Sequence, residues 1–299
     1  MSPTNDFRQF FQQHIAPELT HLEQLRKKLR QRNIVVISIA TIAMAFGILS
    51  FLPFNALLVL AFGYLIYRLA FGSDRVRQNI QKEYQNILLT KLAAFLGEKW
   101  TFSKLNYLPQ KELNGCYLFG DSIDKYDGDW LFRGDYNGRQ LSISPIYAEK
   151  EDPYSGEKKR YLDVFKGYAF VIKTQGEFSG QTMLLPKSFS EDSQRNYSEA
   201  LKKLDIPGAL SKKYSGLTSD SLEGQAILSQ SLLEKVEIAS KQIGKEILLE
   251  MNGDKIFIAF PESKKLMRVS VATTVMNFET ANGFYQMLNS ILSILDEIK

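Results

Sequence analysis

Cysteine and histidine are scarce in this sequence. The 299 residues include one cysteine, Cys116, and two histidines, His14 and His21. A single cysteine cannot close an internal disulfide, so the fold depends on packing alone. Because both histidines lie near the N-terminus, the rest of the chain lacks the base of a Ser-His-Asp or Cys-His arrangement and the imidazole ligands of a zinc site. We therefore interpret Cys116 as a half-buried structural thiol and not as a nucleophile.

Glycine-rich phosphate-binding motifs are also absent, both the Gly-x-x-x-x-Gly-Lys-Ser/Thr loop and the Gly-x-Gly-x-x-Gly turn. We expect no cofactor. The net charge of +4 divides unevenly, with +7 on residues 1–104 and −3 on the remainder. A nucleic-acid-binding domain needs a basic stripe on its folded surface, so this division predicts no nucleic-acid partner.

Charge of either sign is missing from residues 34–67. An unbroken helix of that length would measure about 50 Å, against about 30 Å for the hydrocarbon core of a bilayer. Pro53 supplies a break, because proline removes an amide donor. The pattern predicts a transmembrane helical hairpin over residues 34–71, with a re-entrant hairpin as the alternative.

Cations flank this apolar run on both sides, and cations beside a span remain on the cytoplasmic side. We therefore predict a bacterial inner-membrane, multi-pass protein with both termini in the cytoplasm. The residues predicted to anchor it are Arg26, Lys27, Lys28, Arg30, Arg32, Pro53, Arg68, Arg75 and Arg77.

Helical periodicity marks the segments next to the apolar run. Residues 1–33 predict a basic amphipathic juxtamembrane helix with a kink at Pro17, and residues 72–99 predict a second juxtamembrane helix. Both carry apolar stripes, so we expect them to pack as an antiparallel pair.

Beyond residue 100 the pattern changes to strands and turns, which predicts a cytoplasmic α+β domain over residues 100–299. Asn137-Gly138 predicts a hairpin of 129–134 with 139–147, and Pro145 suggests an edge strand. Residues 161–173 and 181–186 are predicted to pair as a second hairpin, and residues 245–260 as a third. Helices are predicted over 191–204, 229–241 and 276–298.

The segments "YDGDWLFRGDYNGRQLSIS", "FKGYAFVIKTQGEFSGQTMLLP" and "GKEILLEMNGDKIFIAF" follow the apolar hairpin in this order. This order resembles an uncharacterised bacterial membrane-anchored family known as domain of unknown function 3137. Phe165, Lys166, Gly167, Phe178 and Gly180 carry the most specific part of the likeness. The resemblance covers nearly the whole chain and implies an architecture and a bacterial origin, but no reaction.

Four aspartates, Asp121, Asp124, Asp127 and Asp129, crowd into "DSIDKYDGDW". The spacing does not fit a calcium loop of the EF-hand type, and a polar turn feeding a strand is the plainer interpretation. Two functions remain open. One is a non-enzymatic, membrane-anchored binding or scaffolding protein. Its expected partners are a lipid bilayer and another protein, and a homo-oligomer is one expected state of the protein. The other is a divalent-metal-assisted hydrolase that uses these four carboxylates.

Overall fold

The computed structural model describes residues 3–49, 55–119, 123–152, 154, 159–190, 201–261 and 267–298. The chain divides into two compact units. The first comprises Met1–Lys91 and Met267–Asn282, and the second Leu92–Leu266 and Gly283–Lys299.

The first unit is helical. Helix α1 spans Pro3–Phe10, a π-helical turn follows at Phe11–Ile15, and α2 spans Thr20–Leu49; α3 spans Asn55–Leu96 and extends into the second unit. The interruption between α1 and α2 contains Pro17, where a kink is predicted. Buried apolar side chains hold the unit together, and they include Phe7, Phe11, Ile15, Leu22, Ile80, Tyr84 and Leu88. The salt bridge between Lys91 and Glu18, 2.5 Å long, joins the two predicted juxtamembrane segments as an adjacent pair.

The transmembrane prediction requires correction. Among the residues that the structure describes, no helix is both long and apolar enough to cross a membrane. On this finding the transmembrane hairpin over 34–71 and the multi-pass inner-membrane localisation with cytoplasmic termini are wrong. The predicted break at Pro53 lies outside the described residues.

The second unit confirms the α+β class through a ten-stranded sheet in which every pair is antiparallel. The strands are β1 (Thr101–Ser103), β2 (Lys125–Gly128), β3 (Leu131–Tyr136), β4 (Arg139–Glu151), β5 (Tyr161–Lys173), β6 (Thr182–Pro186), β7 (Lys202–Leu204), β8 (Tyr214–Thr218), β9 (Leu248–Asn252) and β10 (Lys255–Pro261). Their order is β1-β3-β4-β5-β10-β9-β6-β8-β7, and β2 pairs with β4 beside β3.

The helices of this unit are α4 (Lys187–Ser190), α5 (Ser221–Ile227), α6 (Gln230–Ile243) and α7 (Phe278–Leu295), of which α7 begins in the first unit. Asp220 caps the N-terminus of α5, and Ser229 caps α6. The predicted helices over 229–241 and 276–298 are confirmed as α6 and α7. The helix predicted over 191–204 falls mostly outside the described residues, and its last three residues form β7 instead.

Two of the three predicted hairpins are confirmed. Strands β3 and β4 join at Asn137-Gly138, both with positive φ, and β9 joins β10 through Gly253. The predicted pairing of β5 with β6 is wrong, because the β9-β10 hairpin inserts between them.

Strand β4 is not an edge strand, although it contains Pro145. Its residues pair with β5 along one side, while β3 and β2 divide the other side between them. The proline lies where the ladder passes from β3 to β2, so its missing amide interrupts no hydrogen bond of either pair.

The two faces of the sheet are covered differently. One face packs Phe132 against Phe284 of α7. The opposite face contributes Val171, Met183, Leu248 and Phe257 to a buried cluster that also contains Leu108, Leu113, Leu118 and Phe119. We call residues 104–119 the covering segment, because these four side chains pack over this face of the sheet.

Candidate interaction surface

The predicted aspartates do not converge on one point in the described part of the chain. Asp124 accepts the amide of Glu151 at 2.7 Å, Asp127 the amide of Gly128 at 2.8 Å, and Asp129 the hydroxyl of Tyr147 at 2.7 Å. Each of these three carboxylates thus accepts a hydrogen bond in a different strand or turn. Asp121 lies outside the described residues.

No group of three histidine, cysteine or acidic side chains that could hold a metal ion occurs within the described ranges. The hydrolase hypothesis therefore gains no support from geometry, and it stays a hypothesis.

Arg26, one of the predicted anchoring cations, is buried in the first unit. Its guanidinium forms a bidentate pair with Glu23 at 2.6 and 2.9 Å and also donates to the carbonyl of Val271 at 2.7 Å. Glu23 in turn accepts the hydroxyl of Thr274 and the amide of Val275. The guanidinium of Arg26 lowers the pKa of Glu23 to about 2. This pair fastens residues 271–275 to α2, which is a structural task.

The remaining predicted cations differ from Arg26 where the structure describes their side chains. Lys27, Lys28, Arg30, Arg32, Arg75 and Arg77 are exposed, and Arg77 approaches Asp74 at 3.7 Å. Arg68 lies in α3. The exposed cations of α2 immediately precede its apolar part, and the sequence contains no acidic residue from 24 to 73.

Residues 34–42 of α2, which we call the apolar segment, carry large apolar side chains that no described residue covers. Ile34, Val35, Ile37, Ile39 and Ile42 are between 49% and 68% exposed. The same helix buries Leu29 and Leu22, about one and a half and about three turns before Ile34. Contiguous exposed apolar patches of this kind mark sites of contact with proteins or membranes, so the apolar segment is the leading candidate for an interaction surface.

Glu250 is the polar residue that sequence analysis missed. It lies on β9, its side chain is fully buried, and it points toward the covering segment. Its carboxylate accepts the amides of Tyr117 at 2.8 Å and Leu118 at 3.1 Å, and the side-chain amide of Gln181 at 2.8 Å. Burial raises the pKa of Glu250 to about 7, although these donors act in the opposite direction.

Two neighbours of Glu250 hold the same covering segment. Asn252 donates to the carbonyl of Gly115 at 2.7 Å, and Lys255 donates to the carbonyls of Glu112 and Asn114 at 3.3 and 3.1 Å. Cys116 is half-buried beside them, and burial, followed by the nearby Glu250 charge, raises the pKa of its thiol. A thiol with a raised pKa is a poor nucleophile at neutral pH, which agrees with the structural interpretation of Cys116.

Residues 163–299 match the family DUF3137, described as a protein of unknown function. The resemblance seen in the sequence is confirmed over this region, and the predicted bacterial origin stays a prediction. No curated protein matches the chain. The chain is similar to a solved structure titled the mycobacterial trehalose monomycolate transport factor A, TtfA, with 7% identity and a TM-score of 0.42, over 73% of this chain and 96% of that one.

The boundary of the DUF3137 match divides the Glu250 site. Glu250, Gln181, Asn252 and Lys255 lie in the DUF3137 region, whereas the backbone that they hold lies before it. The signal for this site is the alternation in "LLEMN", which places Glu250 on the same face as the buried Leu248. An acidic residue on an apolar strand face is the mark of a buried polar contact.

Proposed function

We propose that this chain is a non-enzymatic binding protein that attaches to an anionic lipid surface through the apolar segment and the exposed cations before it. The observation that carries the proposal is the exposure of five large apolar side chains in residues 34–42. Exposed apolar surface of this kind marks contacts with proteins or membranes.

The distribution of these side chains around α2 favours lipid over a protein partner. At about 100° per residue, Ile34, Val35, Ile37, Ile39 and Ile42 occupy about 200° of the helix circumference. A partner helix covers one stripe of a helix, whereas acyl chains can surround it.

The adjoining charges specify the kind of lipid. Lys27, Lys28, Arg30 and Arg32 are exposed within the two turns that precede the apolar segment. Each such cation contributes about 1 kcal/mol near an anionic headgroup surface. Binding should therefore be stronger to anionic than to zwitterionic bilayers and should weaken as salt is added.

Vesicle flotation of the full-length chain tests the proposal, using phosphatidylcholine with and without phosphatidylglycerol. Ile39→Asp places a carboxylate in the apolar segment, and the lipid-bound fraction should fall at least about tenfold. Ile238→Asp is the matched control, because Ile238 on α6 is 51% exposed and Ile39 is 49% exposed. The control should float like the wild type.

A protein partner would give a different result. If the apolar segment pairs with a second copy of the chain, sedimentation without lipid will show an oligomer that Ile39→Asp dissociates. In that case flotation will be weak and indifferent to phosphatidylglycerol, and the lipid proposal fails.

A further inference from the structure

An open cavity of about 530 Å³ lies at one end of the sheet face that carries the covering segment. Strands β3, β4 and β5 contribute Arg133, Ser142 and Lys173 to its lining. Glu112 of the covering segment and Lys99 complete the charged part of the wall. This volume falls in the range of small-molecule sites, and no residue of the apolar segment of α2 is among its described lining residues.

The two acidic residues of the cavity already have partners. Glu112 forms a salt bridge with Arg133, whose Nε donates to the hydroxyl of Ser142 at 3.2 Å. Asp135 accepts the amide of Gly138 at 3.0 Å and lies 3.7 Å from the ammonium of Lys99. Both acidic side chains therefore already interact with other residues of the protein.

Lys173, which also lines the cavity, has no such acidic partner in the described part of the chain. Lys173 on β5 stands directly opposite Lys255 on β10. Lys255 donates to two backbone carbonyls, and within the described ranges no carboxylate lies within 4 Å of either ammonium. Like charges directly opposite each other on neighbouring strands destabilise a sheet. An anion bound to the ammonium of Lys173 would reduce that penalty.

We propose that this cavity binds a compact anion through a phosphate or carboxylate group placed at Lys173, with Lys255 on the neighbouring strand. The ammonium of Lys173 offers three donors, and Lys255 adds a second positive charge across the strand pair. Gln140, opposite Lys173 in the register, and Ser142 add neutral hydrogen-bonding groups at the same end. This proposal does not depend on lipid binding by α2.

Calorimetry and thermal unfolding of the full-length protein test the site, with inorganic phosphate and citrate compared with chloride at equal ionic strength. Phosphate tests binding of a phosphate group, and citrate tests binding of a carboxylate group. Lys173→Gln should leave the anion-free protein as stable as the wild type or more stable. It should weaken binding of the preferred anion at least tenfold.

Lys203→Gln is the matched control, because Lys203 is an exposed lysine on the edge strand β7 of the same sheet. It should keep wild-type affinity. The proposal is overturned if neither phosphate nor citrate binds in preference to chloride, or if Lys173→Gln binds the anion as tightly as the wild type.

Discussion

Replacing Glu250 by glutamine should make the second unit more stable at alkaline pH and leave it nearly unchanged at acid pH. Glutamine has the shape of glutamate, and its oxygen can accept the amides of Tyr117 and Leu118. Gln181 can turn its own amide to accept from the new side-chain NH₂. The substitution therefore keeps the hydrogen bonds and removes the charge.

The magnitude follows from the pKa of Glu250, which burial raises from 4.5 to about 7. A raised pKa means that the folded protein holds this proton more tightly than the unfolded chain does. The penalty for the ionised carboxylate is thus absent below pH 4.5, grows as the pH rises to 7, and is constant above that value. This pKa difference between the folded and unfolded states corresponds to about 3 kcal/mol of unfolding free energy.

Urea unfolding followed by tryptophan fluorescence measures this effect, because both tryptophans, Trp100 and Trp130, are buried in the second unit. At about pH 8.5 the Glu250→Gln midpoint should lie about 1–2 M above that of the wild type, and at about pH 4.5 the two should agree. Glu246→Gln, an exposed position of the same region, is the control and should keep the wild-type profile. A variant less stable than the wild type at alkaline pH would refute the reasoning, since the ionised carboxylate would then be stabilising.

Three further predictions concern packing and buried polar groups. Arg26→Gln leaves the buried carboxylate of Glu23 without its main partner, which should destabilise the first unit by about 3 kcal/mol. Amide hydrogen exchange over residues 267–277 should therefore accelerate by two orders of magnitude or more. Unchanged protection of these amides would contradict this prediction. Gly134→Ala places a Cβ about 2.1 Å from the Trp100 ring. The free energy of unfolding of the second unit, followed by tryptophan fluorescence, should therefore fall by roughly 2–3 kcal/mol. Tyr84→Phe removes a buried hydroxyl that has no hydrogen-bond partner in the described part of the chain, and thermal unfolding of the first unit, followed by circular dichroism, should show a gain of about 1 kcal/mol.

Local turn chemistry explains which parts of the sheet were predictable. Asn137 and Asn252 are each followed by a glycine with positive φ, and both predicted hairpins form at these turns. The order of the strands was not predictable in this way, since no local signal says that β9 and β10 insert between β5 and β6. Likewise, nothing in residues 267–277 indicates that they pack with the N-terminal helices.

Charge patterns were informative for the surface and misleading for one buried group. Arg26, Lys27 and Lys28 all precede the apolar run, which predicts a shared anchoring role. The helical period nevertheless turns Arg26 toward Glu23 and leaves the lysines in solvent. The crowded aspartates leave a metal site as a hypothesis, and the three that the structure describes accept hydrogen bonds from separate partners. Spacing along a chain sets which side chains share a face, but contacts from distant elements decide whether that face is buried.

Amide hydrogen exchange of the full-length chain, with and without anionic vesicles, tests the proposed lipid attachment most directly. The account predicts that exchange over residues 34–42 slows when phosphatidylglycerol vesicles are added, and that the effect weakens with salt and disappears in Ile39→Asp. Vesicle binding that leaves exchange over residues 34–42 unchanged and protects another surface would contradict it.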